Sequence, residues 1–244
     1  MRNAIVSLLL AVGLVAGAPA GAAPRDRDAG VSRQPIPSST AAGPPITISV
    51  SVAPNVRTNT VNRMLAETDA IWRSSGVRFV WQRAAARVAP YAESGEAGRH
   101  LASTLRVTVD NEVGDWKGEV MPLGWIRFDG PGEPEEEIHI SYCNAQALLA
   151  ASSLVVGDLT MMPMLQRETY LARAMGRALA HELGHYLMAS TTHTDTGLMQ
   201  SQLSASRLFS GRVRFEIDSS QRQRVASRLA RTMRVARRSP DEIR

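Results

Sequence analysis

Several features are scarce in this chain of 244 residues, and each scarcity narrows the structures it can form. Cys143 is the only cysteine, so no disulfide can form within the chain and the fold must rest on its core. We expect Cys143 to be a small buried residue. No internal repeat is present, which argues against a repeat architecture. The chain also lacks a phosphate-binding glycine loop, a dinucleotide fingerprint and a G-x-S-x-G elbow.

Long hydrophobic runs are almost absent. The one candidate covers residues 4–18, which is short for a membrane span of ~20 residues. It follows Arg2 and precedes the small residues 20–23, the pattern of a signal peptide over residues 1–23. We therefore expect a secreted or periplasmic protein with no membrane span after cleavage; the alternative is an uncleaved anchor. Residues 24–45, rich in Pro, Ser, Gly and Ala, predict a disordered linker or a short pro-segment.

Positive charge is concentrated at one end of the chain. The formal net charge is +5, but residues 201–244 contain 11 Arg against 4 Asp and Glu. The preceding residues are therefore slightly acidic. A basic end of this kind could contact nucleic acid, anionic lipid or an acidic partner. We favour a solvated face of an amphipathic helix and expect no nucleic-acid partner. The sequence carries no signal for an oligomeric state.

The pattern of apolar residues predicts an α+β fold, with one domain over residues 46–200 and a basic strand and helix over residues 201–244. Alternation or apolar runs predict five strands, and helical periodicity predicts three helices. The strands are expected at residues 46–52, 77–81, 105–109, 123–128 and 138–142, with a short sixth near 213–217. The helices are expected at residues 58–74, 167–189 and 219–235. This order indicates an α/β or α+β sheet with a helix packed on it.

One motif carries chemistry. His181-Glu182-Leu183-Gly184-His185 is an H-E-x-x-H motif inside the second predicted helix. Residues i and i+4 lie one above the other on a helix, so His181 and His185 can reach one ion. Glu182 lies on an adjacent line of the same surface, where it could reach a water molecule on the metal. Burying such polar groups among apolar residues needs a partner, and a zinc ion would supply it.

A catalytic zinc site usually has three protein ligands, so a third is required. His193 is the leading candidate, because three of the five histidines fall between 181 and 193. The helix should end near residues 189–192, where Ser190 and two threonines favour turns. A short loop could then return His193 to the metal. Asp195 and Glu216 remain as alternative ligands.

These residues resemble the metzincin clan of zinc metallopeptidases, most closely its matrixin-like members. The resemblance rests on H-E-x-x-H, on the later His193 and on Gly197-Leu198-Met199, which is similar to the family's methionine turn at Met199. It covers residues 46–199. It implies a zincin-like catalytic domain over residues 46–200, with a twisted mixed sheet, an antiparallel edge strand, a backing helix and an active-site helix, followed by a small helical part. In the usual pattern, a glycine lies three residues after the second histidine and the third ligand lies six residues after it. The sequence departs from this pattern. Here those positions hold Met188 and Thr191.

The resemblance implies an activity. Zinc would activate a water, Glu182 would act as the general base, and a protein or peptide would be the substrate. The family's edge strand pairs with extended substrate, and its best match here includes Gly124, Trp125 and Ile126. Two alternatives stay open: a zinc hydrolase of a non-protein amide, and an exported protein with a structural zinc site.

Two other features of the sequence are expected to have structural roles. His139 lies in a predicted strand and is expected to be structural or on the surface. Residues 129–137 contain four glutamates between 133 and 137, and this stretch is expected to be a solvated loop, because its spacing fits no calcium-binding loop.

Overall fold

The computed structural model describes residues 4–7, 45–84, 105–114 and 122–237. Most of the predicted signal peptide and linker lies outside these residues. The described strands are β1 Ala4–Ser7, β2 Ile46–Val52, β3 Phe79–Arg83, β4 Leu105–Asp110, β5 Gly124–Gly130 and β6 Glu133–Ser141. The described helices are α1 Thr58–Arg73, α2 Tyr142–Ala151, α3 Ser153–Val156, α4 Met164–Met188, α5 Ala205–Phe209 and α6 Ser219–Arg237.

The strands form one mixed sheet, which confirms the predicted fold class. Its order is β1-β5-β6-β4-β2-β3, with β3, β2, β4 and β6 parallel to one another. β5 runs antiparallel to β6, so the predicted antiparallel strand is present. β1 adds a further antiparallel strand on the outer side of β5, within the segment expected to be a signal peptide. No helix of the described residues is long and apolar enough to cross a membrane.

Helices α1 and α4 pack tightly against each other. A Cβ added at Gly176 of α4 would lie 2.7 Å from the Met64 carbonyl oxygen of α1, so only glycine allows this approach. The Thr68 hydroxyl donates to the Gly176 carbonyl at 3.0 Å, and the Trp72 indole nitrogen donates to the Ala180 carbonyl at 3.1 Å. These contacts fix α4, the helix that carries the H-E-x-x-H motif, on the body of the protein.

The prediction of a strand near residues 213–217 is wrong, and a buried arginine explains the alternation of apolar and polar residues there. Phe215 and Ile217 are buried and alternate with exposed residues, but the segment is irregular. Arg177 of α4 donates to the carbonyl of Val213 at 3.2 Å and to that of Ser210 at 2.8 Å. Its guanidinium also lies 4.9 Å from the Phe215 ring centroid. The alternation thus reflects packing around one cation, not pairing in a sheet.

The prediction that the acidic residues 133–137 lie in a solvated loop is also wrong. β6 begins at Glu133, and the strand is half exposed there, so carboxylates are tolerated on its outer face. Glu137 accepts a hydrogen bond from the Thr108 hydroxyl of β4 at 2.8 Å.

Three short helices were not predicted, and the reason for α2 is a local cap. Ser141 caps it by accepting from the Asn144 amide at 3.1 Å, so the chain turns from strand to helix one residue before the expected strand end at Tyr142. Cys143 on this helix is exposed, contrary to expectation.

Candidate metal centre

The central part of the site is built by two turns of α4. His181, Glu182 and His185 are all completely buried, on a helix whose surrounding residues are mostly apolar. The helical spacing of four residues places the two imidazoles together, and their ring centroids are 4.6 Å apart. Both rings therefore lie inside the protein core, where an unpaired polar group would be costly.

The helix ends in a way that replaces the glycine missing from the metzincin pattern. Ala189 has φ 48°, and it is the only non-glycine residue with positive φ in the described part of the chain. The amide of Ala189 donates to the Tyr186 carbonyl and that of Ser190 donates to the His185 carbonyl, both at 3.2 Å. This pair of bonds is a Schellman motif, which usually has glycine at the left-handed position. It turns the chain back toward the helix one residue later than a glycine at position 188 would.

The loop after this turn brings His193 to the other two histidines. Its ring centroid lies 5.3 Å from that of His181 and 4.8 Å from that of His185. The loop is closed by the Thr194 amide, which donates to the Met199 carbonyl at 2.9 Å. Gly197 permits this closure with φ 80°.

The three histidines offer donor atoms that converge. One ring nitrogen from each lies within 4.8 Å of the other two, so the structure forms a group that could bind a metal ion. His181 Nδ1 lies 2.9 Å from the Leu198 carbonyl oxygen and His185 Nδ1 lies 2.6 Å from the Ser190 carbonyl oxygen. A carbonyl oxygen only accepts, so both Nδ1 atoms carry hydrogen. In the neutral rings, each Nε2 then presents a lone pair.

Those lone pairs face each other. The Nε2 atoms of His181 and His185 are 2.9 Å apart, and two acceptors cannot form a hydrogen bond with each other. His193 Nε2 is buried and has no hydrogen-bond partner among the described residues. A cation between the three rings would satisfy all of these atoms. The donor set and its outer carbonyl contacts therefore fit a metal ion, since ligating histidines usually donate their other ring nitrogen in this way.

Electrostatics keeps the rings in the neutral form that a metal requires. Burial lowers the pKa of His185 to about 4. Burial, and then the neighbouring His185, hold the pKa of His181 well below its usual value of 6.5. Burial also lowers the pKa of His193. At neutral pH the three imidazoles are therefore uncharged, and metal binding does not have to displace protons from them.

Strand β5 begins beside the predicted general base. A Cβ added at Gly124 would lie 3.3 Å from Glu182 Cγ and 2.7 Å from Ile140 Cδ1. Glycine at this position thus lets the strand approach α4. The side chains of Trp125 and Ile126 are buried, so this part of β5 could contact a ligand only through its main chain.

Met199 lies under the helix turn that joins the two histidines. A Cβ added at Gly184, between His181 and His185, would overlap Met199 Sδ. Met199 is 1% exposed and follows Leu198, whose carbonyl orients His181. The assignment of Met199 to a methionine turn stays a prediction.

The alternative third ligands are not brought to the site. Asp195 and Glu216 are exposed, and neither belongs to the histidine group. A second trio of possible donors, from Asp110, Glu112 and His139, also lies within 4.8 Å, but on partly exposed side chains. His139 stacks on Trp125 at 5.2 Å between ring centroids, consistent with the structural role expected of it.

Sequence reasoning missed two parts of the site. The carbonyls of Leu198 and Ser190 are main-chain groups, so no residue type identifies them. The left-handed turn at Ala189 was missed because glycine is the usual signal for it. Comparison with known proteins adds no assignment: no protein-family model matches the chain. No curated protein matches it significantly either.

Proposed function

We propose that the protein is an exported zinc-dependent metallopeptidase of the metzincin type, with His181, His185 and His193 as the zinc ligands. The observation that carries this proposal is the buried convergence of three neutral imidazoles beside Glu182. Imidazole is a preferred ligand for zinc. The group has three members among the described residues, and a three-ligand site leaves a position for substrate or water, as in catalytic zinc centres.

Glu182 supports a catalytic role over a structural one, because a closed structural site has no use for a buried carboxylate next to its ligands. A bound zinc ion would supply Lewis acidity, which lowers the pKa of a water molecule so that it can lose a proton and act as a nucleophile near neutral pH. The Glu182 carboxylate would accept the proton of that water and then deliver it to the leaving amine. Leu198 and Ser190 would hold the two helical imidazoles in the ligating tautomer through their carbonyls.

The edge of β5 supports a peptide as substrate. Its outer side accepts an extended segment, because Ala4–Ser7 pairs with it in antiparallel register, Ser7 opposite Trp125 and Val6 opposite Ile126. β1 also contacts α4, so a strand in this position runs next to the metal-site helix. Pairing of this kind uses main-chain groups and is a common way to bind peptides. We infer that a substrate takes the same edge.

The test is metal content and casein cleavage, measured on the mature protein as wild type, Glu182→Gln and His193→Ala. We expect about one zinc in wild type and Glu182→Gln, with cleavage by wild type only. His193→Ala should lose most of its zinc affinity, whereas the matched loop variant Asp195→Asn should retain zinc and activity.

Three outcomes would change the proposal. Zinc binding without casein cleavage by wild type would contradict the peptidase assignment and favour a non-protein amide or a structural metal. Cleavage by Glu182→Gln at the wild-type rate would remove Glu182 from the mechanism. Absence of zinc from wild type would contradict the metal site itself.

A further inference from the structure

Helix α6 carries a charge pattern that the proposed peptidase site does not use. Its 19 residues contain arginine at positions 222, 224, 228, 231, 234 and 237 and no acidic residue. Apolar side chains such as Val225, which is 2% exposed, attach the helix to the protein. Packing therefore explains the apolar residues on one face of α6. It does not explain why the other faces carry so many arginines.

Part of the basic surface lines a cleft. The cleft has a volume of about 420 Å³ and lies between the end of α4 and one face of α6. Met188 and Ala189 form the α4 side. The described residues on the α6 side are all polar: Ser220, Gln223, Arg224, Ser227, Arg228 and Arg231. Positions 220, 224, 227, 228 and 231 recur at helical spacing, so their side chains project into the same space.

The lining is rich in donors, and none of its described residues carries a carboxylate. Arg224 and Arg231 are exposed, and neither forms a hydrogen bond or an ion pair with another described residue. Arg228 is half-buried, with its guanidinium 5.5 Å from the Tyr186 ring centroid. That cation–π contact holds Arg228 at the cleft wall.

The cleft brings the positive charges of Arg228 and Arg231 close to each other. Burial lowers the pKa of Arg228, the nearby Tyr186 opposes this, and the positive charge of Arg231 lowers it further. A bound anion would offset both the burial and the repulsion. The Ser220 hydroxyl donates to the Asp218 carboxylate at 2.6 Å, which leaves the Ser227 hydroxyl and three guanidinium groups around the cleft. Groups of these kinds bind oxyanions in proteins.

We propose that this cleft is a binding site for a phosphate-class oxyanion, held by Arg224, Arg228 and Arg231 with help from the hydroxyl of Ser227. A phosphate has more acceptor oxygens than a carboxylate and so can use more of these donors. The concave shape selects a small anionic group over a membrane surface or a nucleic-acid backbone. Free phosphate and a small phosphate monoester share this chemistry.

The test is isothermal titration calorimetry of the mature protein with inorganic phosphate. The salt concentration is about 0.15 M, where the general attraction between the basic surface and an anion is strongly screened. We expect saturable binding with one site per chain. Arg224→Gln combined with Arg231→Gln should weaken binding at least about tenfold. The matched pair is Arg212→Gln with Arg222→Gln, which removes the same charge from exposed residues that do not line the cleft.

The outcomes separate the alternatives. Absence of saturable phosphate binding by wild type would overturn the proposal. An equal loss of affinity in both double variants would also overturn it, because general charge attraction would then explain the binding. Tighter binding of a short glutamate peptide than of phosphate would also overturn it, in favour of a carboxylate site. Titration with glycerol phosphate distinguishes the sources: tighter binding than inorganic phosphate assigns the cleft to a monoester, and equal or weaker binding assigns it to the free ion. Because the four replaced arginines are exposed, unchanged circular dichroism should accompany each variant.

Discussion

Gly184→Ala tests whether Met199 supports the metal-site helix. The added methyl carbon would overlap Met199 Sδ and would lie 3.0 Å from its Cε, closer than ordinary van der Waals contact. Met199 is 1% exposed, so its side chain has little space into which to move. The substitution therefore requires the Met199 side chain to change its conformation, or the helix turn or the methionine loop to shift. Overpacking of this kind typically costs about 1–3 kcal/mol of unfolding free energy.

The paired substitution gives the sharper result. Met199→Ala alone should cost about 2–5 kcal/mol, because it leaves a cavity in a packed region. With both changes present, the new methyl group at position 184 enters that cavity instead of meeting sulfur. We therefore expect the double variant to be more stable than the sum of the single effects predicts, by at least about 1 kcal/mol.

Urea unfolding followed by circular dichroism, in the presence of a metal chelator, measures these free energies without the contribution of metal binding. The control cycle combines Gly184→Ala with Met64→Ala, a buried methionine of α1 that is not among the nearest neighbours of Gly184. Those two effects should add to within about 0.5 kcal/mol. Equal additivity in both cycles would refute the packing of Met199 under the turn between the two histidines.

Three further predictions follow from the fold and the edge strand. Arg177→Met should destabilise the protein by about 3–5 kcal/mol in urea unfolding, because it removes a buried cation that binds Glu67 and several loop carbonyls; a loss below 1 kcal/mol would contradict that role. Ala189→Gly should stabilise it by about 1 kcal/mol, since glycine adopts the left-handed turn without strain, and a lower melting temperature would count against this account of the helix end. A chain retaining residues 1–23 should cleave casein more slowly than one beginning at Pro24, because Ala4–Ser7 occupies the β5 edge; equal rates would show that the edge is not the substrate site.

Local sequence patterns determined a large part of this structure. The spacing of His181 and His185 needs only a helix to bring two imidazoles together, and that helix was evident from its own apolar periodicity. The alternation in residues 46–52 and the helical repeat in residues 58–74 likewise act within one element, and the structure places β2 and α1 there. Such features are readable from sequence because their geometry depends on neighbouring residues alone.

Tertiary structure decided which distant groups meet. His193 was favoured by sequence, but its approach depends on Ala189 adopting a left-handed conformation that residue type does not indicate. The alternation at 213–217 suggested a strand, yet the carbonyls there face Arg177, a residue more than thirty positions earlier. The pairing of Ala4–Ser7 with β5 joins segments about 120 residues apart. Contacts of this kind depend on the packing of the whole chain, and periodicity within a segment carries no information about them.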